Sequence, residues 1–261
     1  MYRNYFKEVW ELHQKWGKDV LYRKIIQKRT SRIILSDIGG EFYNFAYPTT
    51  DDPIKLDLQE IENALHEQKE KSVIVLLAEH QRVGFTEHLI RNGYSFLARD
   101  TWVGYNIETY RETSTRSEVV KVIPEKFSDY DTVLGKVFAD WPGNATYNEI
   151  CRKTIAGELK GSFKTLKSEL YLIYDKGKPA AGAGLFYSEE GNFAYLHDAG
   201  TLEEYRGKGY QTDLIRHRVN VALKNGVDRI YSSVEHGEQS WSNMTKIGFN
   251  DLHTSLVFVK K

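Results

Sequence analysis

Two stretches of this chain, about 155 residues apart, run through the same succession of elements. Val75-Leu76-Leu77-Ala78-Glu79-His80, a helical pattern and Asn92-Gly93-Tyr94 are matched by Tyr231-Ser232-Ser233-Val234-Glu235-His236, a helical pattern and Ile247-Gly248-Phe249. The two anchors differ by one residue of slip, and an extended segment follows in both copies. Self-similarity at a fixed spacing marks a repeated supersecondary unit. Each unit here is strand, helix, glycine turn and strand, so the chain reads as α/β and as two related units. The polar stretch Tyr110-Arg111-Glu112-Thr113-Ser114-Thr115-Arg116-Ser117 lies between them without a large aliphatic residue and reads as a linker. The expected domains are residues 1–110 and 117–261, and 261 residues suffice for two cores.

Hydrophobic spacing fills in the rest. Phe6, Val9, Trp10, His13, Trp16, Val20 and Leu21 predict a helix over 4–27. Strands are expected over 32–35 and 41–47, the latter stopped by Pro48. A helix over 57–70 opens at Asp57, a buried strand covers 73–77, a helix 81–92, and the chain returns extended over 95–107. Beyond the linker the expected series is a strand over 118–123 and helices over 127–139 and 145–156, broken at Trp141-Pro142-Gly143. A hairpin then joins 170–174 to 180–187 across Asp175-Lys176-Gly177-Lys178-Pro179. A strand over 193–201, a helix over 211–224 closed by Asn225-Gly226, a strand over 229–235, a helix over 239–247 and a strand over 252–260 complete it.

Charge and cysteine usage narrow the function. Lys plus Arg and Asp plus Glu both number 36, so the net charge is zero. A chain without basic excess lacks the footprint of a nucleic-acid binder and gives no reason to expect an anionic membrane as partner. Its longest strongly apolar run is the six residues Val73–Ala78, too short to span a bilayer. The N-terminal residues show no secretory signal, so a cytoplasmic location is expected. One cysteine, Cys151, leaves no disulfide framework and no cysteine-based metal cluster, and it reads as a packing residue. No metal is expected, and the oligomeric state is not legible.

The segment that carries chemistry is Ala199-Gly200-Thr201-Leu202-Glu203-Glu204-Tyr205-Arg206-Gly207-Lys208-Gly209-Tyr210-Gln211-Thr212, which follows a strand and opens a helix. Gly207 and Gly209 permit backbone conformations and a ligand approach that a Cβ would obstruct. N–H groups at a helix start are unpaired donors, and the macrodipole adds positive potential there. Together they suit a pyrophosphate, with Arg206 and Lys208 adding cationic character. A dinucleotide fingerprint would need a third glycine where Thr212 stands, and a Walker loop would need Ser or Thr where Gly209 stands.

Arg206-Gly207-Lys208-Gly209-Tyr210-Gln211 resembles the acetyl-CoA loop of the GNAT superfamily, whose pattern is Arg/Gln-x-x-Gly-x-Gly/Ala. The glycine-lysine-proline hairpin before it, the long helix after it, and the following strand, helix and Gly248-Phe249 agree with that family over roughly 118–261. The resemblance implies a tandem GNAT fold of α/β (α+β) class, each half a mixed, mostly antiparallel, V-splayed sheet flanked by helices. It implies acetyl-CoA as co-substrate, an amine acceptor and direct acetyl transfer. It places the pantetheine arm on Ala199, Gly200 and Thr201 and the pyrophosphate on Arg206 to Thr212, and adds Asn243 to the cofactor-binding set. Two departures stand out. Gln211 occupies the last Gly/Ala position. Met244 stands where many members carry the tyrosine that protonates the departing thiolate.

A base is also needed, because direct transfer requires a neutral amine. The candidates are His197 and Asp198 on the strand before the loop, and Glu235 at the end of the following strand. The acceptor is a small-molecule or peptide amine. A non-catalytic acyl-CoA-binding or sensing module is the alternative that Met244 motivates; a third is an amide-forming transferase with a larger acyl donor, or one using aminoacyl-tRNA, the neutral charge disfavouring tRNA. The first half lacks a glycine loop, and Thr49-Thr50-Asp51-Asp52-Pro53 stands in the matching region, where carboxylates repel a pyrophosphate. It resembles a degenerate GNAT unit whose job is to complete the sheet edge and wall the acceptor site. Tyr43, Phe45, Tyr47, Trp102, Tyr105, Trp141 and Tyr147 are the aromatics of that expected wall.

Overall fold

The computed structural model describes residues 2–77, 79–109, 114–141, 143–157 and 165–261. The linker at 110–113, Ala78 of the repeat and Pro142 of the helix break lie outside them. The first half contains α1 (Tyr2–Val20), β1 (Lys24–Gln27), β2 (Ser31–Leu35), β3 (Phe45–Pro48), α2 (Leu58–His66), β4 (Val73–Leu76), α3 (Arg82–Arg91) and β5 (Tyr94–Tyr105). The second contains β6 (Val120–Lys121), α4 (Phe127–Val137), α5 (Asn144–Ile155), β7 (Lys167–Asp175), β8 (Lys178–Ser188) and β9 (Phe193–Thr201). It continues through α6 (Tyr210–Lys224), β10 (Ile230–Glu235), α7 (Gln239–Ile247) and β11 (Phe249–Lys260).

Three local corrections have local causes. The first helix stops at Val20, short of the expected residue 27, because Gly17 gives way to the Tyr22 ring: a Cβ there would lie 2.6 Å from Tyr22 Cε2. The N–H groups of Leu21 and Tyr22 both close on Gly17 O, and the β-branched pair Ile25-Ile26 runs on as β1. Residues 41–43 form a turn, with Tyr43 and Asn44 N–H donating to Gly40 O, so β3 begins only at Phe45. The strand expected over 118–123 shortens to Val120–Lys121.

All strands join one sheet in the order β1-β2-β3-β4-β11-β5-β10-β9-β8-β7-β6. The last strand of each half lies between the strands of the other. β11 is hydrogen-bonded to β4 on one side, and β5 to β10 on the other; β5 and β11 pair antiparallel along their length. The first half therefore does more than complete a sheet edge. The two long strands correspond residue for residue at an offset of 155: Tyr94 to Phe249 and Tyr105 to Lys260. Each skips one residue in the ladder, Leu97 in β5 and Leu252 in β11, and these bulges share the same offset.

Only β3–β4 and β9–β10 pair in parallel, at matching places in the two halves. β9 and β10 are bridged only at Ala194–Ile230 and Tyr195–Tyr231, beyond which they diverge. Helices cover both faces. α1, α4 and α5 pack over one core that spans both halves, where fully buried Trp16 stacks on Phe193 and donates its indole N–H to Tyr231 Oη at 2.7 Å. On the opposite face α2 and α3 cover the first half, α6 and α7 the second.

Candidate active site

The wall of the divergence is built around a bulge in β9. Gly182 pairs with Gly200 and Gly184 with His197, so Asp198 and Ala199 together oppose one residue of β8. Asp198 takes the extra turn at φ 50°, a left-handed conformation uncommon outside glycine but tolerated by aspartate. A bulge costs ladder hydrogen bonds, and a buried arginine replaces them. Arg218 of α6, fully buried, donates Nη1 to Gly184 O at 2.8 Å and His197 O at 3.1 Å, and Nε to Leu214 O at 3.1 Å. Gly184 is needed because the His197 ring lies against it: a Cβ there would meet Cε1 at 2.2 Å.

These contacts set the titration of both candidate groups. His197 Nδ1 lies 2.8 Å from Tyr147 Oη, its ring is flat over Phe186, and Nε2 is buried without a partner. Burial, reinforced by Arg218, keeps that imidazole neutral. Asp198 accepts a hydrogen bond from Tyr130 Oη at 3.1 Å. Burial pushes its carboxyl up to about 7, against the pull of the Tyr130 bond and the Arg218 charge. Cys151 reaches the same wall, where its sulfur, a His197 nitrogen and an Asp198 oxygen lie within 4.8 Å of one another. These are the side chains that could hold a metal, and burial pushes the thiol up.

Between β9 and β10 opens a cavity of about 540 Å³. The second half supplies Trp141, Tyr147, Tyr195, Asp198, Ala199, Arg218 and Met244, and the first supplies Trp10, His13, Tyr22, Tyr43, Phe45, Asp100 and Trp102. Asp100 stands on β5, opposite Glu235 of β10. Its carboxylate accepts the Trp102 indole N–H at 3.1 Å and the Ser233 hydroxyl. Burial raises it to about 6. Trp102 meets Trp10 edge-to-face at 5.3 Å, and the Trp141 indole is fixed by Gly39 O at 3.0 Å. His13, 3.0 Å from Tyr22 Oη, is held neutral by burial at about 3. Of the aromatics expected in the wall, Tyr47 and Tyr105 stand elsewhere: Tyr47 bonds Gln14, and Tyr105 packs on Phe249 across the sheet.

At the cavity's edge the chain leaves β9 and enters α6 through the glycine loop. Gly207 and Gly209 have φ 80° and 85°, and no heavy atom lies within 4 Å of where a Cβ would stand. Gly209 is the N-cap of α6 and offers no capping side chain. Among the described residues, the N–H groups of residues 207–212 have no protein acceptor. Lys208 is drawn aside into an ion pair with Asp175, which also accepts from Tyr210 Oη at 3.0 Å, while Arg206 is exposed. Gln211 turns to α7, donating to Ser240 Oγ at 2.9 Å and accepting from Asn243. Gly200 packs beneath Val137, and the Thr201 hydroxyl is buried without a partner. Glu235 is exposed at the rim, and Met244, 4% exposed, lies in the cavity floor.

Asp100, Trp10, His13, Tyr22, Tyr130 and Arg218 were not among the site residues expected from the sequence. Only Arg218 left a signal: Leu214, Arg218 and Ala222 recur every fourth residue, placing a charge on the apolar stripe of a helix.

A splayed sheet with a glycine loop at a helix start defines a class, and comparison identifies it. Residues 138–249, in the second half, match the model of the acetyltransferase (GNAT) family. No curated protein matches the chain. Among solved structures, a GCN5-related N-acetyltransferase from Kribbella flavida is similar at 14% identity and TM-score 0.66, with 99% of this chain and 95% of that one covered. A GCN5-related N-acetyltransferase-like protein from Streptococcus suis is similar at 15% identity and TM-score 0.56, over 98% and 99%. A tandem GNAT protein from the clavulanic acid biosynthesis pathway is similar at 11% identity and TM-score 0.56, over 88% and 77%. At these identities the likeness is one of fold.

Proposed function

We propose that the chain is an acetyl-CoA-dependent N-acetyltransferase with one active site, built by two related units over residues 1–110 and 117–261, and that its acceptor is a small-molecule amine. The observation that carries this reading is the uncapped start of α6 beside the divergence of β9 and β10. Open space around Gly207 and Gly209 and the unpaired N–H groups of 207–212 fit a diphosphate, as the helix dipole does. Ala199, Gly200 and Thr201 then lie along the pantetheine arm, with the thioester directed into the gap. Arg206, Tyr210 and Thr212 rim the loop; Gln211 and Asn243 hold α6 and α7 together below it.

Acetyl-CoA would supply an activated acyl carbon and a thiolate leaving group. This chain's residues supply the rest. Asp198, with a carboxyl raised to about 7, is suited to take a proton from an ammonium and release a neutral amine. His197, neutral and bonded to Tyr147, orients the bulge rather than carrying charge. Glu235, exposed at the rim, draws cations toward the opening. The roof of α1, Tyr43 and Trp102 favours a small molecule over a folded protein surface.

Met244 favours a second reading, binding without turnover, since no tyrosine stands there to protonate a thiolate. One experiment separates the two. Calorimetry with CoA should show binding, and a thiol-release assay with acetyl-CoA and an amine panel should show turnover. Binding without release on any amine supports the module; absence of binding overturns both.

A further inference from the structure

The cavity lining is unusual in its charge. Glu41, Asp100, Asp198, Glu235 and Glu238 face it against one cation, Arg218, in a chain of zero net charge. Arg218 is fully buried, with Nε and Nη1 spent on carbonyls and Nη2 without a partner. Both histidines of the lining are neutral by burial. A carboxylate-bearing acceptor would therefore face five carboxylates against one buried guanidinium.

Two of the five carboxylates stand deep in the site, on different strands. Asp198 belongs to β9 and Asp100 to β5, with β10 between them. Each is fixed by neutral donors, Tyr130 for one and Trp102 with Ser233 for the other, and neither has an ion-pair partner among the described residues. Both act on the Tyr195 hydroxyl, so they share one interior. Two strand spacings set a minimum separation of roughly 10 Å, widened by the divergence of β9 from β10, and an N⁺–H···O⁻ bond of about 2.8 Å at each end leaves room for an aliphatic chain between two nitrogens. Trp102 is bonded to Asp100, and Trp10 and Tyr22 line the same cavity, an aromatic setting that favours a desolvated ammonium.

Building on the acetyltransferase reading, we propose that the acceptor is a dicationic amine of the α,ω-diamine class. One nitrogen is delivered to Asp198 for acetylation, and the other ammonium is held by Asp100 beside Trp102. In balanced terms, the ammonium at Asp198 loses one proton to that carboxylate, and the neutral amine so formed makes the new N–C bond. The C–S bond of acetyl-CoA breaks, and the second proton, lost from the acylated nitrogen, passes through solvent to the thiolate, giving a mono-acetylated diamine and free CoA.

The test is a comparison of kcat/KM at saturating acetyl-CoA for length-matched pairs, from 1,3-diaminopropane against propylamine to 1,8-diaminooctane against octylamine. The best diamine should exceed its monoamine at least tenfold, chiefly through KM, the order of a single charge contact. Asp100→Asn should lower that preference about tenfold while CoA affinity, read by calorimetry, is kept. Monoamines turned over as well as diamines overturn the diamine inference and leave the acetyltransferase standing, as does a preference that Asp100→Asn does not alter. Turnover of no amine at all overturns both. The wild-type comparison needs no variant to fold.

Discussion

The two halves share a strand–helix–strand unit at an offset of 155 residues, yet their helix starts are finished in opposite ways. In the first half the helix donors are used internally: Asp57 accepts from Glu60 N–H at 3.0 Å at the start of α2, and Asp52 accepts from Ile54 N–H at 3.1 Å just before it. In the second, Gly209 caps α6 without a side chain and leaves the donors free. A capped helix start is stable and closed to anions. An uncapped one gives up about 1 kcal/mol of capping and gains a binding site. The same fold thus yields a scaffold in one copy and a candidate phosphate cradle in the other, through a few residues at one turn.

The contrast can be broken most severely at Asp198, a group with no counterpart in the first half. Asp198→Asn should lower kcat by about 10²–10⁴-fold, the usual worth of a general base, with CoA affinity retained. The sign of its pH dependence follows. The base works only when ionised, so wild-type kcat/KM should climb with pH through about 7 and then level, and the asparagine variant should lose that limb. A limb that survives the substitution assigns the proton to another group. The same raised carboxyl disfavours ionisation in the ligand-free fold. Its contribution to stability is present below pH 3.8 and is lost as pH rises through about 7, so ligand-free thermal stability should decline over that window.

Next in size is Arg218→Met, which removes a donor from two buried carbonyls. Each unsatisfied group costs about 1–3 kcal/mol, so urea unfolding should lose several kcal/mol. A loss under about 1 kcal/mol would mean that water enters the bulge and replaces the guanidinium. Gly209→Asp should weaken CoA binding by about 100-fold, since charge at the helix start and strain at φ 85° act together. Unchanged affinity in a folded variant defeats the cradle. The smallest effect is expected at Asp57→Ala, which should cost about 1 kcal/mol of stability and leave CoA stoichiometry at one per chain. A second CoA bound in that variant would dissolve the distinction between the halves.

What could be read from the sequence was what is locally encoded. The glycine loop, α6 and the 239–247 helix follow from residues adjacent in the chain, and their structures agree with expectation. Gln211 turns away from the loop because Ser240 and Asn243 bond it. Asp100 was not legible. It reads as one polar residue in an extended return, and it joins Asp198 only because β5 crosses into the other half's sheet. The repeat held an unused hint: two strands left over at the end of equivalent units, with matching lengths, are natural partners for one another. The error at residues 21–27 has a different origin. Helical periodicity continued in the pattern, but the Gly17–Tyr22 contact and the preference of Ile25 and Ile26 for extended backbone ended the helix first.

The interleaving of β5 and β11 also bears on the order in which the protein can be completed. On the ribosome the first half emerges with β4 facing an empty lane and β5 without either neighbour, since β10 and β11 are made only after residue 229. Until β11 arrives, Val73–Leu76 exposes an unpaired, wholly apolar edge of the kind that recruits strands from other chains. The nascent chain therefore spends most of its synthesis in an aggregation-prone form, and closure of the earliest-made unit awaits the last strand of the latest-made one.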